Sequence, residues 1–177
     1  MPRWIKIGAL AAGPLAALAL VATPLIAHDR GHGGDHRRGH DVRLAPVSDP
    51  VVAKECASCH MLYPPGLLPA RSWVALMAGL DDHFGDNAAL DDATARRVTD
   101  DLTANAADKA GNNRVTLRGL AATDAPLRIT ELPSWQRKHE RKDRVAPAAL
   151  KRAGAKFKGD CKACHKQAEQ GWFDDDD

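Results

Sequence analysis

The sequence has few aromatic residues, few cysteines and little net charge, and each of these deficits argues against a class of protein. Aromatic residues account for only 5% of the 177 positions, which is little for a core that must fold without a large apolar partner. Four cysteines are too few for the dense disulfide frameworks of small secreted domains. The formal net charge of +2 offers no excess of basic residues for binding nucleic acid.

The longest apolar run lies at the N-terminus and is typical of an export signal. Arg3 and Lys6 precede an almost wholly apolar run from 7 to 26, which two prolines interrupt. The run is long enough for a membrane span, but the prolines, the small residues around Ala27 and the polar segment that follows favour a cleaved signal peptide over residues 1–27. Cleavage leaves 23 basic and 23 acidic residues. We therefore predict a neutral periplasmic protein, with an uncleaved anchor as the alternative.

Every cysteine of the chain belongs to one of two copies of the pattern Cys-x-x-Cys-His. This pattern is typical of c-type haem attachment, in which both thiols form thioether bonds with the haem vinyl groups and the histidine ligates the iron. On a helical turn, positions i, i+3 and i+4 share one face, so all three side chains can reach a single porphyrin. We therefore predict two covalently bound haem c groups with His60 and His165 as proximal iron ligands. The copies are Cys56-Ala57-Ser58-Cys59-His60 and Cys161-Lys162-Ala163-Cys164-His165.

Other uses of paired cysteines fit this sequence less well. A four-cysteine zinc site also joins two Cys-x-x-Cys pairs, but zinc ribbons place the pairs much closer together than Cys59 and Cys161 and need no histidine after each pair. A disulfide framework suits an exported chain, although such frameworks belong mainly to shorter and cysteine-denser domains. A thioredoxin-like redox pair requires a βαβ pattern, which surrounds neither motif.

Two histidines remain outside the motifs and the N-terminal arm, one for each haem. We expect Ser72 to cap a helix that carries His83 on its apolar face. We expect Ser134 to cap another helix, in which His139 lies one turn after Trp135. His83 and His139 are therefore the predicted distal iron ligands, assigned by sequence proximity to the first and the second haem.

Methionine is the main competing ligand for the distal positions. Met61 directly follows a proximal histidine and would have difficulty in reaching the opposite face of the same haem. Met77 lies on an apolar stripe, which is more typical of core packing than of ligation. A second histidine leaves the reduction potential lower than methionine would, so we expect two low-potential, low-spin, six-coordinate haems.

The remaining segments predict a mainly α fold with two small haem-wrapped modules. Residues 28–48 are rich in glycine and histidine, and we expect a flexible arm whose histidines are incidental or bind metal or haem weakly. We place the N-terminal haem module at 49–113, a connector with one short extended piece near 127–130 at 114–132, and the C-terminal module at 133–177. Asp86 or Asn87 is expected to cap a helix in the first module, and Asp160 the helix that carries the second motif.

Charge is distributed unevenly along the chain. Residues 81–101 include seven acidic residues and two arginines, whereas residues 137–158 include nine basic residues and two acidic ones. Two solvated helical faces would produce this pattern. The functional alternative is a dipolar surface that steers redox partners by salt-sensitive attraction.

Taken together, these motifs resemble the bacterial dihaem cytochromes c. The resemblance covers roughly residues 50–177 and is far more specific than either haem motif alone, and the histidine-rich arm lies outside it. Besides the two attachment motifs, it is carried by Tyr63-Pro-Pro-Gly-Leu-Leu-Pro69, Ser72-Trp73, His83-Phe84-Gly85, Asn105-Ala-Ala-Asp108, Arg128-Ile-Thr130, Trp135 to His139 and Ala168-Glu-Gln-Gly171.

The resemblance implies a soluble periplasmic electron carrier with two bis-histidine haems, whose C-terminal module is similar to the small helical cytochromes c. It also implies that a membrane cytochrome b supplies electrons and that a small oxygen-binding monohaem cytochrome receives them. We expect a monomer without catalytic residues. One alternative is a sensor or small oxidoreductase with an open iron position for oxygen, nitric oxide or peroxide. A second is a haem-stabilised interaction module without redox traffic.

Overall fold

Short helices joined by tight turns make up most of the structure, a computed structural model that describes residues 42–109 and 114–173. These residues belong to one compact unit that spans 36–177. None of the described helices is long and apolar enough to cross a membrane. The predicted signal peptide, 1–27, lies outside the described residues.

The mainly α fold class is confirmed. The helices and strands are β1 (Val42–Arg43), α1 (Pro50–Cys56), α2 (Ala70–Ala78), α3 (Asp92–Ala104), α4 (Pro133–His139), α5 (Pro147–Ala153) and β2 (Trp172–Phe173).

Aspartate side chains start two of the helices. Asp49 accepts a hydrogen bond of 2.7 Å from the Val51 amide and so caps α1. Asp91 accepts bonds of 3.0 Å from the Ala93 and Thr94 amides at the start of α3. The predicted cap at Asp86 or Asn87 is therefore wrong, because α3 begins several residues later.

Proline, rather than serine, marks the start of α2 and α4. Pro69 precedes α2, Pro133 opens α4, and neither helix has a side-chain cap bond. Ser72 is buried within α2. Ser134 donates to the Thr116 carbonyl. The predicted caps at Ser72 and Ser134 are therefore wrong.

One hydrophobic cluster holds the helices together. The helices α2 and α3 pack against each other, and α1 packs against α3. Leu132 and Trp135 come from the predicted connector and C-terminal module, yet they belong to the same cluster as Val52 near the first haem motif. The division into two modules stays a prediction, but the segments share a core. The buried members of the cluster are Val52, Leu68, Trp73, Leu76, Val98, Leu102, Ala106, Leu132 and Trp135.

A two-stranded clasp joins the segment before the first motif to the segment after the second. Val42 pairs with Phe173 in the antiparallel sheet, and the Leu44 amide donates to the Gly171 carbonyl at 2.8 Å. Val42 and Leu44 are only 8% and 7% exposed. We predicted that residues 42–48 would belong to a flexible arm. Residues 42–44 are instead held by this pairing and by the burial of Val42 and Leu44, whereas Ala45, Pro46 and Ser48 are exposed. Residues 28–41 lie outside the described residues.

Short 3-10 turns replace two elements that we predicted from local patterns. The expected extended piece at 127–130 is wrong, because a 3-10 turn covers Ile129–Glu131. The expected helix through the second motif is also absent. Two separate 3-10 turns, Cys161–Ala163 and Ala168–Gln170, take its place, and the Asp160 carboxylate accepts from the Lys156 amide instead of capping the motif. Gly171 ends this segment in the left-handed conformation.

Candidate haem-binding sites

The first attachment motif lies at the C-terminal end of α1. Cys56 is the last residue of this helix, and the chain continues through Ala57 in a nearly helical conformation. Cys59 is exposed, whereas Cys56 is half-buried, and burial raises the pKa of the Cys56 thiol. His60 follows, with Nδ1 2.7 Å from the Met61 carbonyl oxygen. Because a carbonyl only accepts, Nδ1 carries the proton and Nε2 is left to bind a metal.

The structure brings His83 to His60. Their ring centroids are 6.2 Å apart, and the rings are inclined by 33°. His83 does not lie on the helix that we predicted, because α2 ends at Ala78 and Gly79 breaks the periodicity. Instead it follows the 3-10 turn Leu80–Asp82, and two backbone hydrogen bonds with Asp86 hold it there.

The second attachment motif adopts a turn rather than a helix. Cys161 begins the 3-10 turn, and its carbonyl accepts the His165 amide at 2.7 Å. This bond spans four residues, so it places the first thiol and the histidine on the same side of the turn. Cys161 is half-buried and Cys164 exposed. Burial raises the pKa of Cys161 to about 11.

His139 lies near His165, the proximal histidine to which we assigned it by sequence proximity. The two histidine centroids are 6.1 Å apart with an interplanar angle of 78°. Trp135 stacks on the His139 ring at 4.5 Å and 11°. The His139 Nδ1 lies 2.9 Å from the Trp135 carbonyl, so this histidine also keeps Nε2 for a metal. The helix α4 therefore sets both the position and the tautomer of His139.

The two histidine pairs fit a haem iron between their rings. Two metal–imidazole bonds of about 2 Å, together with half the width of each ring, separate the centroids by roughly 6 Å. The observed separations of 6.2 and 6.1 Å agree with this value. Burial lowers the pKa of His83, and His60 adds to that effect. Burial also lowers the pKa of His139. Both rings therefore favour the neutral form that ligates metals.

Sequence analysis did not identify the contacts that join the two sites. Tyr63 contacts the His60 ring at 5.0 Å, and its hydroxyl donates to the Gly159 carbonyl at 2.8 Å, just before the second motif. Burial raises the pKa of Tyr63, so the hydroxyl stays protonated. The neighbouring Leu62 amide donates to Glu169 at 3.3 Å, just after the second motif. These pairs are separated by 96 and 107 residues, and no local pattern marks them.

A groove of about 390 Å³ opens beside His83. Phe84 lines it, with a φ of +59°, which is unusual for a residue other than glycine, and it is 44% exposed. The Arg128 guanidinium lies over the Phe84 ring at 3.8 Å, a cation–π contact that holds the ring in place. The strained backbone and the stacked arginine therefore give the surface near the first histidine pair a defined shape.

Residues 42–109 and 114–173 contain no other cluster of side chains that could bind a metal ion. No group of three or more His, Cys, Asp or Glu side chains lies close enough there to hold a metal ion. Met77 packs against the main hydrophobic cluster, in agreement with the prediction that it is a core residue. Among the described residues, the candidate iron ligands are therefore the histidines of the two motifs and the histidine near each, His83 and His139.

Comparison with known proteins agrees with the paired arrangement. The family model for dihaem cytochrome c matches residues 52–173, which include both attachment motifs, His83 and His139. The chain belongs to the dihaem cytochrome c family. Membership implies two covalently bound haem c groups, so this part of the sequence prediction is confirmed, together with haem-based electron transfer as the general function.

Solved structures of dihaem cytochromes c share both sequence and fold with this family member. A dihaem cytochrome c from Rhodobacter sphaeroides is 51% identical, with a TM-score of 0.65, and the match covers 73% of this chain and 99% of that one. A second structure from the same organism is 46% identical, with a TM-score of 0.59 and coverage of 72% and 99%. A dihaem cytochrome c from Shewanella baltica OS155 is 35% identical, with a TM-score of 0.56 and coverage of 71% and 86%. Among curated proteins, no significant match was found.

Proposed function

We propose that this dihaem cytochrome c is a periplasmic electron carrier with two six-coordinate, low-spin haems. His60 and His83 would ligate the first iron, and His165 and His139 the second. The observation that carries this proposal is the pair of imidazole separations, 6.2 and 6.1 Å, at the two covalent attachment motifs. Iron held between two such rings has no open position for a substrate, which favours electron transfer over catalysis.

The side chains around each pair support this role by limiting motion. Bound haem supplies the one-electron chemistry of its iron. The carbonyls of Met61 and Trp135 orient His60 and His139 through their Nδ1 atoms and increase the basicity of the ligating nitrogens. The Trp135 ring fixes the plane of His139. Ligands held in this way would move little between the ferric and ferrous states, so little reorganisation would oppose the transfer of an electron.

Location and partners follow from the same proposal. Covalent haem attachment takes place after export in bacteria, so we place the protein in the periplasm after removal of residues 1–27. By resemblance to the family, we propose a membrane cytochrome b as the electron donor and a small oxygen-binding monohaem cytochrome as the acceptor. The basic segment 137–158 around α4 and α5 would attract an acidic partner surface, and rising salt should therefore slow the reaction.

Electron paramagnetic resonance of the oxidised, haem-loaded protein tests the ligation. We expect two low-spin signals, each equivalent to one haem. The variants H83A and H139A should each convert one haem to the high-spin form and leave the other low-spin, because each removes one sixth ligand. Met77→Leu is the matched control, and it should change neither signal, since Met77 packs in the core.

A stoichiometric high-spin signal in the unmodified protein would contradict the proposal. That result would mean an open iron position, and it would favour the alternative function of sensing or transforming oxygen, nitric oxide or peroxide. Stopped-flow mixing of the reduced dihaem protein with an oxidised monohaem cytochrome tests the partner class separately. Two low-spin haems without rapid electron transfer would leave the proposed ligation intact and refute the proposed partner.

A further inference from the structure

The loop after the first attachment motif docks directly on the second motif. Tyr63 is only three residues beyond His60, but its hydroxyl donates to the Gly159 carbonyl, two residues before Cys161. The same carbonyl accepts the Cys161 amide at 2.8 Å. A continuous path therefore runs from the His60 ring through the Tyr63 ring and two hydrogen bonds to the backbone of the second motif.

A parallel contact fixes the loop on the other side of the second motif. The Leu62 amide donates to Glu169, and the opposite oxygen of that carboxylate accepts from Lys162 within the motif at 2.6 Å. The loop thus contacts chain segments both before and after the second pair of cysteines. Its orientation toward the second haem site is held at two points rather than one.

The apolar surroundings of Tyr63 also bridge the two sites. Its ring packs against the small cluster formed by Val42, Leu44 and Leu67, and Phe173 packs against the same cluster. Phe173 in turn contacts the His165 ring at 5.6 Å. One aromatic side chain at each proximal histidine therefore meets a shared apolar cluster, which resists changes in the spacing of the two sites.

We propose that Tyr63 is a positioning residue that couples the two haem sites, because its ring supports the first proximal histidine while its hydroxyl polarises the backbone of the second attachment motif. This inference rests on the proposed function, since it assumes two redox-active haems. The Tyr63 O–H dipole compensates the negative end of the Gly159 carbonyl. Without it, that carbonyl would stabilise the more positive ferric state of the nearby second haem.

The variant Tyr63→Phe in the haem-loaded protein tests this coupling. The ring contact with His60 is retained, so we expect both haems to remain low-spin and the potential of the first haem to stay unchanged. The potential of the second haem should shift to a lower value, although the substitution lies beside the first motif. Each potential is assigned to its haem from the H83A and H139A proteins.

A substitution in the same loop provides the matched control. Met61→Leu conserves volume and keeps the carbonyl that orients His60, while it leaves the contact with Gly159 untouched. It should not shift the potential of the second haem. The proposal is overturned if Y63F leaves that potential unchanged, if it shifts only the first haem, or if M61L produces the same shift.

A second measurement keeps the hydroxyl group of Tyr63, so it can be made even if Y63F fails to load haem. Tyr63 is the single tyrosine of the chain, so replacing tyrosine by 3-fluorotyrosine introduces one fluorine reporter. We expect its fluorine resonance to move in two steps during a redox titration, one with each haem. A resonance that follows only the first haem would refute the bridge between the sites while leaving two low-spin haems, and thus the proposed function, intact.

Discussion

Replacing Gly171 by alanine should destabilise the protein more than the same substitution at another glycine in the left-handed conformation. Gly171 has a φ of +82°, and an added Cβ would overlap the Leu44 carbonyl oxygen and lie 2.8 Å from its carbonyl carbon. Both neighbours are backbone atoms, so no flexible side chain can move aside. The backbone at Leu44 must therefore move away from the backbone at Gly171 to accommodate the methyl group.

The expected cost has three parts. Alanine in the left-handed conformation costs about 1–2 kcal/mol. Loss of the hydrogen bond from the Leu44 amide to the Gly171 carbonyl costs about 1 kcal/mol. Partial exposure of the buried Val42 and Leu44 side chains adds on the order of 1–3 kcal/mol. We expect G171A to lower the free energy of unfolding by about 3–6 kcal/mol, a large share of the roughly 5–15 kcal/mol typical of a domain.

Gly154 provides the matched control for this prediction. It also has a positive φ, +71°, at the end of α5, but a Cβ there would meet nothing within 4 Å. G154A should therefore lose only the conformational part, about 1–2 kcal/mol. Guanidinium unfolding of the haem-loaded variants, followed by helical circular dichroism, measures both values. Equal losses, within about 0.5 kcal/mol, would refute the argument that the clasp at Gly171 is closed by backbone contact.

Three further variants test other parts of the structure. Trp73→Phe removes the bond from the indole to the Pro65 carbonyl and part of a buried ring, so thermal or chemical unfolding should show a loss of about 1–3 kcal/mol; an unchanged stability would contradict the observed contact. Asp49→Asn keeps a helix cap but loses the ion pair with Arg97, which lowers the pKa of Asp49. A lowered pKa stabilises the protein above the unfolded value of 3.8, so the advantage of the wild type should vanish as the pH falls through and below that value, and an advantage that persists at acid pH would refute it. His139→Met should raise the potential of the second haem alone in a redox titration, because methionine ligation favours ferrous iron; a rise confined to the first haem would reverse the assignment.

Some site residues could be predicted because their signals are local. The attachment cysteines and proximal histidines lie within five-residue motifs, and His139 follows Trp135 by one helical turn, which is the spacing that the stacked rings adopt. His83 was predicted on a helix, but it lies beyond the end of α2. Its closeness to His60 therefore comes from the path of the turn after Gly79 rather than from helical periodicity.

The sequence by itself determined the chemistry of attachment and the class of the fold, because Cys-x-x-Cys-His motifs and helical patterns are set by neighbours a few residues apart. Only the tertiary structure decided which histidines face each other, that the segment at 42–44 pairs with 171–173, and that Tyr63 reaches Gly159. The strand pairing and the Tyr63 contact join residues about a hundred or more positions apart, and the histidines of the two pairs are 23 and 26 positions apart. They depend on how the whole core packs, and packing leaves no periodic mark on either segment alone.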